Sequence, residues 1–284
     1  MLTLLALFLL GAPNAVPQQA AQKQPPPAAS AYSQGEDYLN KRDYAKALAA
    51  YNRAIQLDPK QPEFYMEKCR ALAGLQRQAE AVSACSEAIK LRPEYALALR
   101  DRGHLEINLG KYPEALADLK KAESLDKTDR GIYYHLGLAY YLTGDFKDAA
   151  SSFQGCLRDS HQPSELIECA AWLYPSLRRS GQDAMAQQLL DKVQPNWQIT
   201  GNTVYYFDRL LLFKGAKNES QVAATMKNDG ALSQATVGYG LGLWELLGGN
   251  QAKAKEYFDK AIASGAKASF GYRASEVELK RMKG

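Results

Sequence analysis

Small and bulky apolar side chains recur along the chain at a fixed distance of 34 residues. The clearest members are the alanines at Ala47, Ala81, Ala115 and Ala149. Small residues precede each alanine by twelve positions, at Gly35, Cys69, Gly103 and Gly137. Bulky or apolar residues follow it by four, at Tyr51, Cys85, Leu119 and Phe153. Ordinary amphipathic helices would explain one such unit but not four in register, so the period predicts stacked helix–turn–helix units.

Such a stack forms its core between units, because one helix pair cannot bury its own apolar face. The small residues mark places where two helices approach closely, and the large residues fill the space beside them. Strand signals are scarce, since no alternating run of β-branched residues is bounded by hairpin turns. The sequence therefore predicts an all-α solenoid of antiparallel helix pairs.

The phase of the period resembles that of the tetratricopeptide repeat. In the first unit, from about Ala28 to Gln61, the signature positions carry Gly35, Tyr38, Ala47, Tyr51, Ala54 and Pro59. The next three units begin near Pro62, Ala96 and Arg130, and Cys69 replaces the usual glycine in the second unit. The resemblance implies a right-handed superhelix of about five to seven repeats, and it points away from catalysis.

Beyond the fourth unit the register shifts by about three residues, near His161–Ser164. Turn glycines carry the period across this shift, at Gly110 and Gly144 before it and at Gly181, Gly215 and Gly249 after it. The unit around Thr203–Gln234 keeps its glycine but loses the small positions, which indicates a degenerate repeat. We therefore predict four regular repeats over residues 31–163, divergent repeats over 164–268 and a capping helix over 269–284.

The amino terminus is separate from the repeats. Leu2–Leu10 is apolar apart from Thr3. This segment is too short to span a bilayer but has the length of a signal-peptide core. We predict a signal peptide over residues 1–15, and hence a periplasmic or secreted protein; a buried helix or a misassigned start codon is the alternative. Val16–Ser30 is rich in Pro, Gln and Ala and is predicted to be a tether. No cysteine follows the apolar stretch, so no lipid-attachment site is expected.

The four cysteines fall at positions that are symmetric about helix connections. Residues that face each other in an antiparallel pair have numbers symmetric about the turn, and Cys69 and Cys85 average to 77, inside a predicted turn. Cys156 and Cys169 average to 162.5, inside the His161–Pro163 connection between the fourth and fifth units. In an oxidising compartment these pairs would form disulfides. The alternative is that the cysteines are small apolar core residues, which their repeat positions also allow.

Composition and motifs offer little chemistry. The chain has 284 residues, 46% of them apolar and 23% charged, with a net charge of +4. Cationic and anionic residues are interspersed, which argues against the basic stripe of a nucleic-acid binder. The three histidines lie in different repeats, and the sequence contains no HExxH, paired CxxC, GxSxG or phosphate-loop motif. We therefore expect no catalysis, no metal and no cofactor.

A repeat array of this kind offers a concave wall, formed by the first helix of each unit. Positions five, nine, twelve and thirteen of each unit are expected to face this wall. Tyrosine and arginine are enriched at interface hot spots, so the mixture suits a peptide that carries apolar anchors and a carboxylate. The predicted partner-binding residues are Tyr32, Glu36, Asn40, Met66, Arg70, Arg100, His104, Asn108, Tyr134, Leu138 and Tyr141. The alternative for each is a solvated helix face.

A closer resemblance lies in the second half of the chain. Its residues are Ala171–Tyr174, Arg178–Asp183, Trp197, Gly240–Gly242, Gly248–Lys260 and Ser269–Arg281. Their order resembles that of the NlpI-type tetratricopeptide lipoproteins of bacterial envelopes. The resemblance implies an adaptor without activity that docks peptidoglycan hydrolases and a periplasmic protease, and it also implies a homodimer formed through the N-terminal helices. The lipid-bearing cysteine of that family has no counterpart here.

We therefore interpret the chain as an exported scaffold that binds other proteins in the cell envelope. One alternative within the same fold is an assembly factor for a pilus or a secretion machine. An alternative of another class is a hydrolase with an unrecognised site. Affinity capture from envelope extracts would separate the two scaffolds, and a turnover screen with peptidoglycan fragments would reveal the enzyme.

Overall fold

The computed structural model describes residues 26–158, 160–227 and 230–283. Over these residues the chain forms fifteen α-helices and one short 3-10 turn, without a strand. The predicted signal peptide and most of the predicted tether lie outside the described residues. The first helix begins at Pro27, so residues 27–30, which the sequence analysis placed in the tether, are helical. Proline suits the first position of a helix because its missing N–H would have no partner there.

The regular half consists of four antiparallel pairs. Its helices are α1 (Pro27–Asn40), α2 (Tyr44–Leu57), α3 (Pro62–Gly74), α4 (Gln78–Leu91), α5 (Ala96–Asn108), α6 (Tyr112–Leu125), α7 (Arg130–Thr143) and α8 (Phe146–Arg158). The alanines that define the 34-residue period are completely buried between the helices. The period therefore reports the close packing of each second helix against its neighbours.

Each regular pair is closest where a small residue of the first helix faces a larger residue sixteen positions further on. A Cβ added to Gly103 would lie 2.7 Å from Leu119 Cγ, so only glycine fits this approach. The second pair has cysteines at both positions, and Cys69 and Cys85 form a disulfide with a Cα–Cα distance of 5.3 Å. The bond thus occupies the position that a glycine and a large side chain fill in the other pairs.

The turns inside the regular pairs share one backbone conformation. The residues Arg42, Gln76, Gly110 and Gly144 lie 34 apart, and their φ angles are 58°, 60°, 76° and 98°. A positive φ is unfavourable for residues that carry a Cβ. The first two repeats therefore bear a small backbone strain that glycine removes from the third and fourth.

The second half is less regular. Its helices are α9 (Pro163–Arg179), α10 (Asp183–Lys192), α11 (Thr203–Lys214), α12 (Glu219–Ala224), α13 (Gly230–Leu247), α14 (Gln251–Ala263) and α15 (Phe270–Arg281). A second disulfide, Cys156–Cys169, joins α8 to α9 across the connection where the register shifts. The second helices of the fifth and sixth units shorten to ten and six residues, and only α13 and α14 return to the regular pair.

The cores of the two halves differ in extent. Buried residues from Ile107 to Ala274 form one continuous cluster, whereas the first repeats contain several smaller ones. At the centre of the large cluster, the ring of Trp172 stacks on Tyr239, with centroids 5.2 Å apart. The guanidinium of Arg209, only 2% exposed, lies over the same indole and donates to the Ala171 carbonyl at 2.8 Å. This core fixes the position of the C-terminal helices.

Candidate functional site

The predicted concave wall lies on α1, α3, α5 and α7, but part of it is inside the core. Met66, Leu138 and Tyr141 are completely buried, so the prediction that they line an open groove is wrong. Asn108, at 5% exposure, borders an opening that remains on this side of the array. Met66 packs beside the first disulfide, and Tyr141 forms a 2.9 Å hydrogen bond with the hydroxyl of Tyr239. These side chains are covered because the first helices also contact the units on either side and the C-terminal helices.

At the N-terminal end the wall is open. Glu36 and Asn40 are exposed on α1, while Tyr32 is partly buried by stacking on Phe64, with ring centroids 5.1 Å apart. Burial, together with the carboxylates of Glu67 and Glu36, raises the pKa of Tyr32. The tyrosine therefore stays protonated and offers a neutral, mainly apolar surface.

The two arginines predicted to hold a partner's carboxylate are already paired within the chain. Arg70 donates to Asp101 at 3.1 Å and to Glu67 at 2.9 Å. Arg100 donates to Asp101 at 2.7 Å and to Asp129 at 2.6 Å. These acidic residues lie on the same or the next helix of the array, which one repeat considered alone does not reveal. Arg70 and Arg100 therefore form an internal network, so neither guanidinium is left free for a partner's carboxylate as the sequence predicted.

Helix α15 covers the wall where it passes along α5 and α7. The ring of Phe270 lies against His104, His135 and Tyr134, with centroid distances of 5.5, 6.1 and 6.1 Å. At the other end of the helix, Arg281 donates to the carbonyls of Tyr141 and Leu142 at 3.0 Å each. The capping helix thus closes the array by filling its concave side.

The two covered histidines stack on each other, with ring centroids 4.5 Å apart and planes inclined by 17°. Burial lowers the pKa of His104, and burial followed by the neighbouring His104 lowers that of His135. Both rings are therefore neutral near pH 7. The amide nitrogen of Asn108 lies 3.2 Å from His104 Nε2, which links this stack to the remaining opening.

A hollow of about 710 Å³ remains between the regular half and the C-terminal helices. We call it the central hollow. It is bounded by the ends of α3 and α5, the start of α4, the first turn of α13, and the loop and first turn that lead into α15. Its lining residues are Gln76, Gln78, Asn108, Leu109, Ala231, Leu232, Gly265, Ala266, Lys267, Ala268, Ser269 and Arg273.

The lining of the central hollow combines apolar surface, unpaired polar atoms and positive charge. Within the described part of the chain, Gln78 Oε1, Asn108 Oδ1 and Arg273 Nε are buried without a hydrogen-bond partner. Leu232 is 44% exposed at the rim of the hollow. Lys267 and Arg273 are the charged lining residues. Two acceptors, one donor and an apolar rim match the needs of an extended peptide backbone and its side chains.

Most residues of the central hollow were missed by the sequence analysis. Asn108 was predicted, whereas Gln78, Leu232, Lys267 and Arg273 were not, because three of them come from the divergent half. One signal was present in the sequence: from Gly265 to Arg273 the chain carries two cations and no acid. A second was Leu232, an apolar residue near the end of the degenerate unit.

Two classes of site find no support among the residues that the structure describes. No group of three or more His, Cys, Asp and Glu side chains is arranged to hold a metal ion there. No helix in those segments combines the length and apolar character needed to cross a membrane. The central hollow is therefore the strongest candidate on the concave side.

The stacked pairs define a helical-repeat scaffold for protein–protein interaction. Family descriptions of the tetratricopeptide repeat match residues 32–96, 103–144 and 131–158. The chain contains tetratricopeptide repeats over residues 32–96 and 103–158. It is 31% identical over 152 residues to the TPR repeat-containing thioredoxin TTL4 of Arabidopsis thaliana, and 27% identical over 120 residues to the STIP1 homolog of Dictyostelium discoideum. The matches cover 48% and 42% of this chain, but only 21% of either relative.

Solved structures show the same fold at low sequence identity. MamA from Desulfovibrio magneticus RS-1 is 22% identical, with a TM-score of 0.53 over 60% of this chain and 94% of MamA. Pseudomonas aeruginosa pilF is 18% identical, with a TM-score of 0.51 over 88% of this chain and 97% of pilF. These similarities support the solenoid architecture.

Proposed function

We propose that this protein is a non-catalytic, exported scaffold of the bacterial cell envelope that binds extended segments of other proteins in its central hollow. The observation that carries the proposal is the hollow itself, where apolar surface surrounds polar atoms that have no partner. A buried acceptor without a hydrogen bond costs about 1–3 kcal/mol. A bound peptide that supplies N–H groups to Gln78 and Asn108 recovers this free energy.

The rest of the lining defines the partner segment. The free Nε–H of Arg273 donates to a peptide carbonyl, while one of its terminal nitrogens remains on Glu276 at 2.7 Å. Leu109 and Leu232 provide surface for an apolar anchor. Lys267 favours an acidic residue next to that anchor, because the lining contains no carboxylate to oppose it. The preferred segment is extended, with one apolar and one acidic side chain.

Two features support export. Both cysteine pairs form disulfides, and such bonds persist mainly in oxidising compartments such as the periplasm. The apolar segment at residues 2–10 has the length of a signal-peptide core. Through its resemblance to the NlpI-type proteins, we extend the proposal to partners among peptidoglycan hydrolases and periplasmic proteases, and to a homodimer.

Affinity capture from envelope extracts tests the proposed groove. We expect Leu232→Asp to abolish capture of the main partner, because it places a charge where the apolar anchor binds. Met185→Asp is the matched control, since Met185 is 43% exposed on α10, away from the hollow. Equal capture by the two variants would show that partners use another surface.

A second variant in the same capture experiment tests the proposed polar contact of Arg273 with the bound segment. We expect Arg273→Ala to weaken binding by about tenfold or more, since it removes a donor in a largely desolvated contact. The control is Arg53→Ala, an exposed arginine on α2 that is not part of the lining. Loss of binding in both variants would indicate a nonspecific charge effect and count against the central hollow.

Export is tested independently by cell fractionation of the full-length chain, with alkylation of free thiols before lysis. We expect the protein in the periplasmic fraction with no alkylated cysteine. A cytoplasmic protein with four reactive thiols would refute the envelope assignment while leaving the peptide-binding test unaffected.

A further inference from the structure

A second cavity lies on another side of the molecule, where the fifth helix pair is incomplete. The second helices of the regular pairs contain 13 or 14 residues, whereas α10 contains ten and ends at Lys192. The chain then continues without helix over residues 193–202 before α11 begins. The missing turn of helix leaves a cavity of about 360 Å³, which we call the α10 cavity.

The wall of the α10 cavity is almost entirely apolar. Its lining residues are Leu157, Leu166, Ile167, Ala170, Leu189, Lys192, Val193, Trp197 and Leu210. Ile167 and Leu210 form a completely buried floor, while Leu166, Leu189 and Trp197 are only partly buried and border the opening. The indole of Trp197 is held in place by stacking on Phe207, with ring centroids 6.3 Å apart. The cavity is therefore preformed.

The charge at the opening is positive. Lys192 is the one charged residue of the lining; it is exposed, and no hydrogen bond or ion pair engages it within the described part of the chain. Helix α10 ends here, and the carbonyls of a helix end carry partial negative charge. Lys214 offsets that charge by donating from Nζ to the Leu190 carbonyl at 2.7 Å. An anion can thus approach Lys192 without opposition from the end of the helix.

We propose that the α10 cavity binds a free fatty carboxylate, with its acyl chain between α8, α9, α10 and α11 and its carboxylate at Lys192. A volume of this size corresponds to about twelve groups of the size of a water molecule, at about 30 Å³ each. It therefore accommodates a chain of roughly ten carbons. The lining offers no polar partner inside the cavity, so a ligand with an apolar tail and a single anionic end fits it better than a sugar or a nucleotide.

A chain-length series measured by calorimetry tests the acyl site on the full-length oxidised protein. Each methylene that enters the cavity should tighten binding about fourfold. We expect this increment from hexanoate through octanoate to decanoate and a plateau for longer chains that no longer fit. The absence of saturable binding, or an affinity without a plateau, would overturn the proposal.

Variants of the opening and of the lysine locate the site. Leu189→Trp should fill the mouth and weaken decanoate binding at least tenfold, whereas Gln188→Trp on the exposed neighbouring position should not. Lys192→Met should weaken decanoate binding about two- to fivefold and leave decanol unchanged. Lys121→Met, an exposed lysine on α6, is its control. Equal effects on decanoate and decanol would refute the role of Lys192.

Tryptophan fluorescence provides a second readout. Decanoate should change the emission of the wild-type protein, and Trp197→Phe should remove that change while the heat of binding persists. A signal that remains in this variant would place the ligand elsewhere and overturn the proposal. None of these measurements requires an envelope partner, so their failure would leave the proposed scaffold function intact.

Discussion

The two halves of the molecule use the same helix pair but are held together differently. The first repeats of the regular half are held together through small local clusters, one disulfide and ion pairs between neighbouring repeats. One large core, from Ile107 to Ala274, joins the last regular repeats to the divergent half, and α15 returns to α7. The comparison teaches that a strict repeat period signals local packing, whereas loss of the period accompanies contacts between distant segments.

Two buried glutamates illustrate the difference. Glu278 in the divergent half is 1% exposed and pairs with both Arg179 and Arg281. Glu106 in the regular half is 7% exposed, and its Oε2 has no partner within the described residues. Burial and the nearby Asp118 raise the pKa of Glu106 to about 7. The Glu278 carboxylate joins α9 to α15, whereas the Glu106 carboxylate is buried without such a role.

The largest effect on stability is expected when the buried ion pairs of Glu278 with Arg179 and Arg281 are broken. Glu278→Ala leaves two largely buried guanidinium groups without their carboxylate, which should lower the free energy of unfolding by about 3–5 kcal/mol. Glu87→Ala, which removes an exposed partner of Lys90, should cost less than about 1 kcal/mol. Urea denaturation followed by circular dichroism measures both, and equal midpoints would contradict the central role of Glu278.

The second-largest effect on stability is expected from removal of either disulfide. Each closes a loop of about 15 residues, so its removal should cost about 3 kcal/mol. We expect Cys69→Ala with Cys85→Ala to cause early unfolding of the first repeats, because their small clusters provide little compensation. Hydrogen exchange would locate the loss. Four reactive thiols in unreduced, denatured protein would instead mean that the cysteines only fill the core.

Overpacking tests whether the period reports close helix contacts. Ala115 is completely buried, and Ala115→Leu should lower stability by about 1–3 kcal/mol because added carbons force the helices apart. Ala117→Leu introduces the same change on the exposed side of α6 and should be nearly neutral. Thermal midpoints that agree between the two variants would invalidate this interpretation of the repeat.

The raised pKa of the buried Glu106 predicts that the stability of the protein depends on pH. The folded pKa of Glu106 is above its unfolded value, so the folded state binds more protons, and stability falls as pH rises from about 4.5 to about 7. Glu106→Gln should therefore be more stable than the wild type by about 1–2 kcal/mol at pH 8 and about equal to it at pH 4.5. A constant difference across this range would refute the assigned cause.

The smallest effects on stability are expected from substitutions in the turns of the regular half. Gly110→Ala should cost about 1 kcal/mol through backbone strain alone, since a Cβ there meets no atom within 4 Å. Arg42→Gly should stabilise the first repeat by about 0.5 kcal/mol, because relief of the positive φ exceeds the added freedom of the unfolded chain. Calorimetry can show that the first variant loses stability and the second gains it. Destabilisation in both variants would contradict the shared turn conformation.

The helical-repeat fold could be predicted from the sequence because it depends on local spacing. The pairing of Cys69 with Cys85 followed from symmetry about a turn. The return of α15 to α7 could not be predicted in this way, because Phe270 and Arg281 contact residues more than a hundred positions away. For the same reason, the repeat positions place Tyr141 on an open wall, which the C-terminal helices bury in the structure. Arg100 was misjudged because its partner Asp129 belongs to the next repeat.

The return of α15 also bears on how the molecule folds. Most contacts in a helical array join residues close in sequence, and such contacts form fast. The bonds from Arg281 to the end of α7 span 139 and 140 residues, so they require closure of a loop that comprises about half of the chain. The regular repeats can assemble while the chain is still incomplete. The central hollow, in contrast, exists only after the last helix has been made and has docked, so its appearance follows the slowest step rather than the formation of its helices.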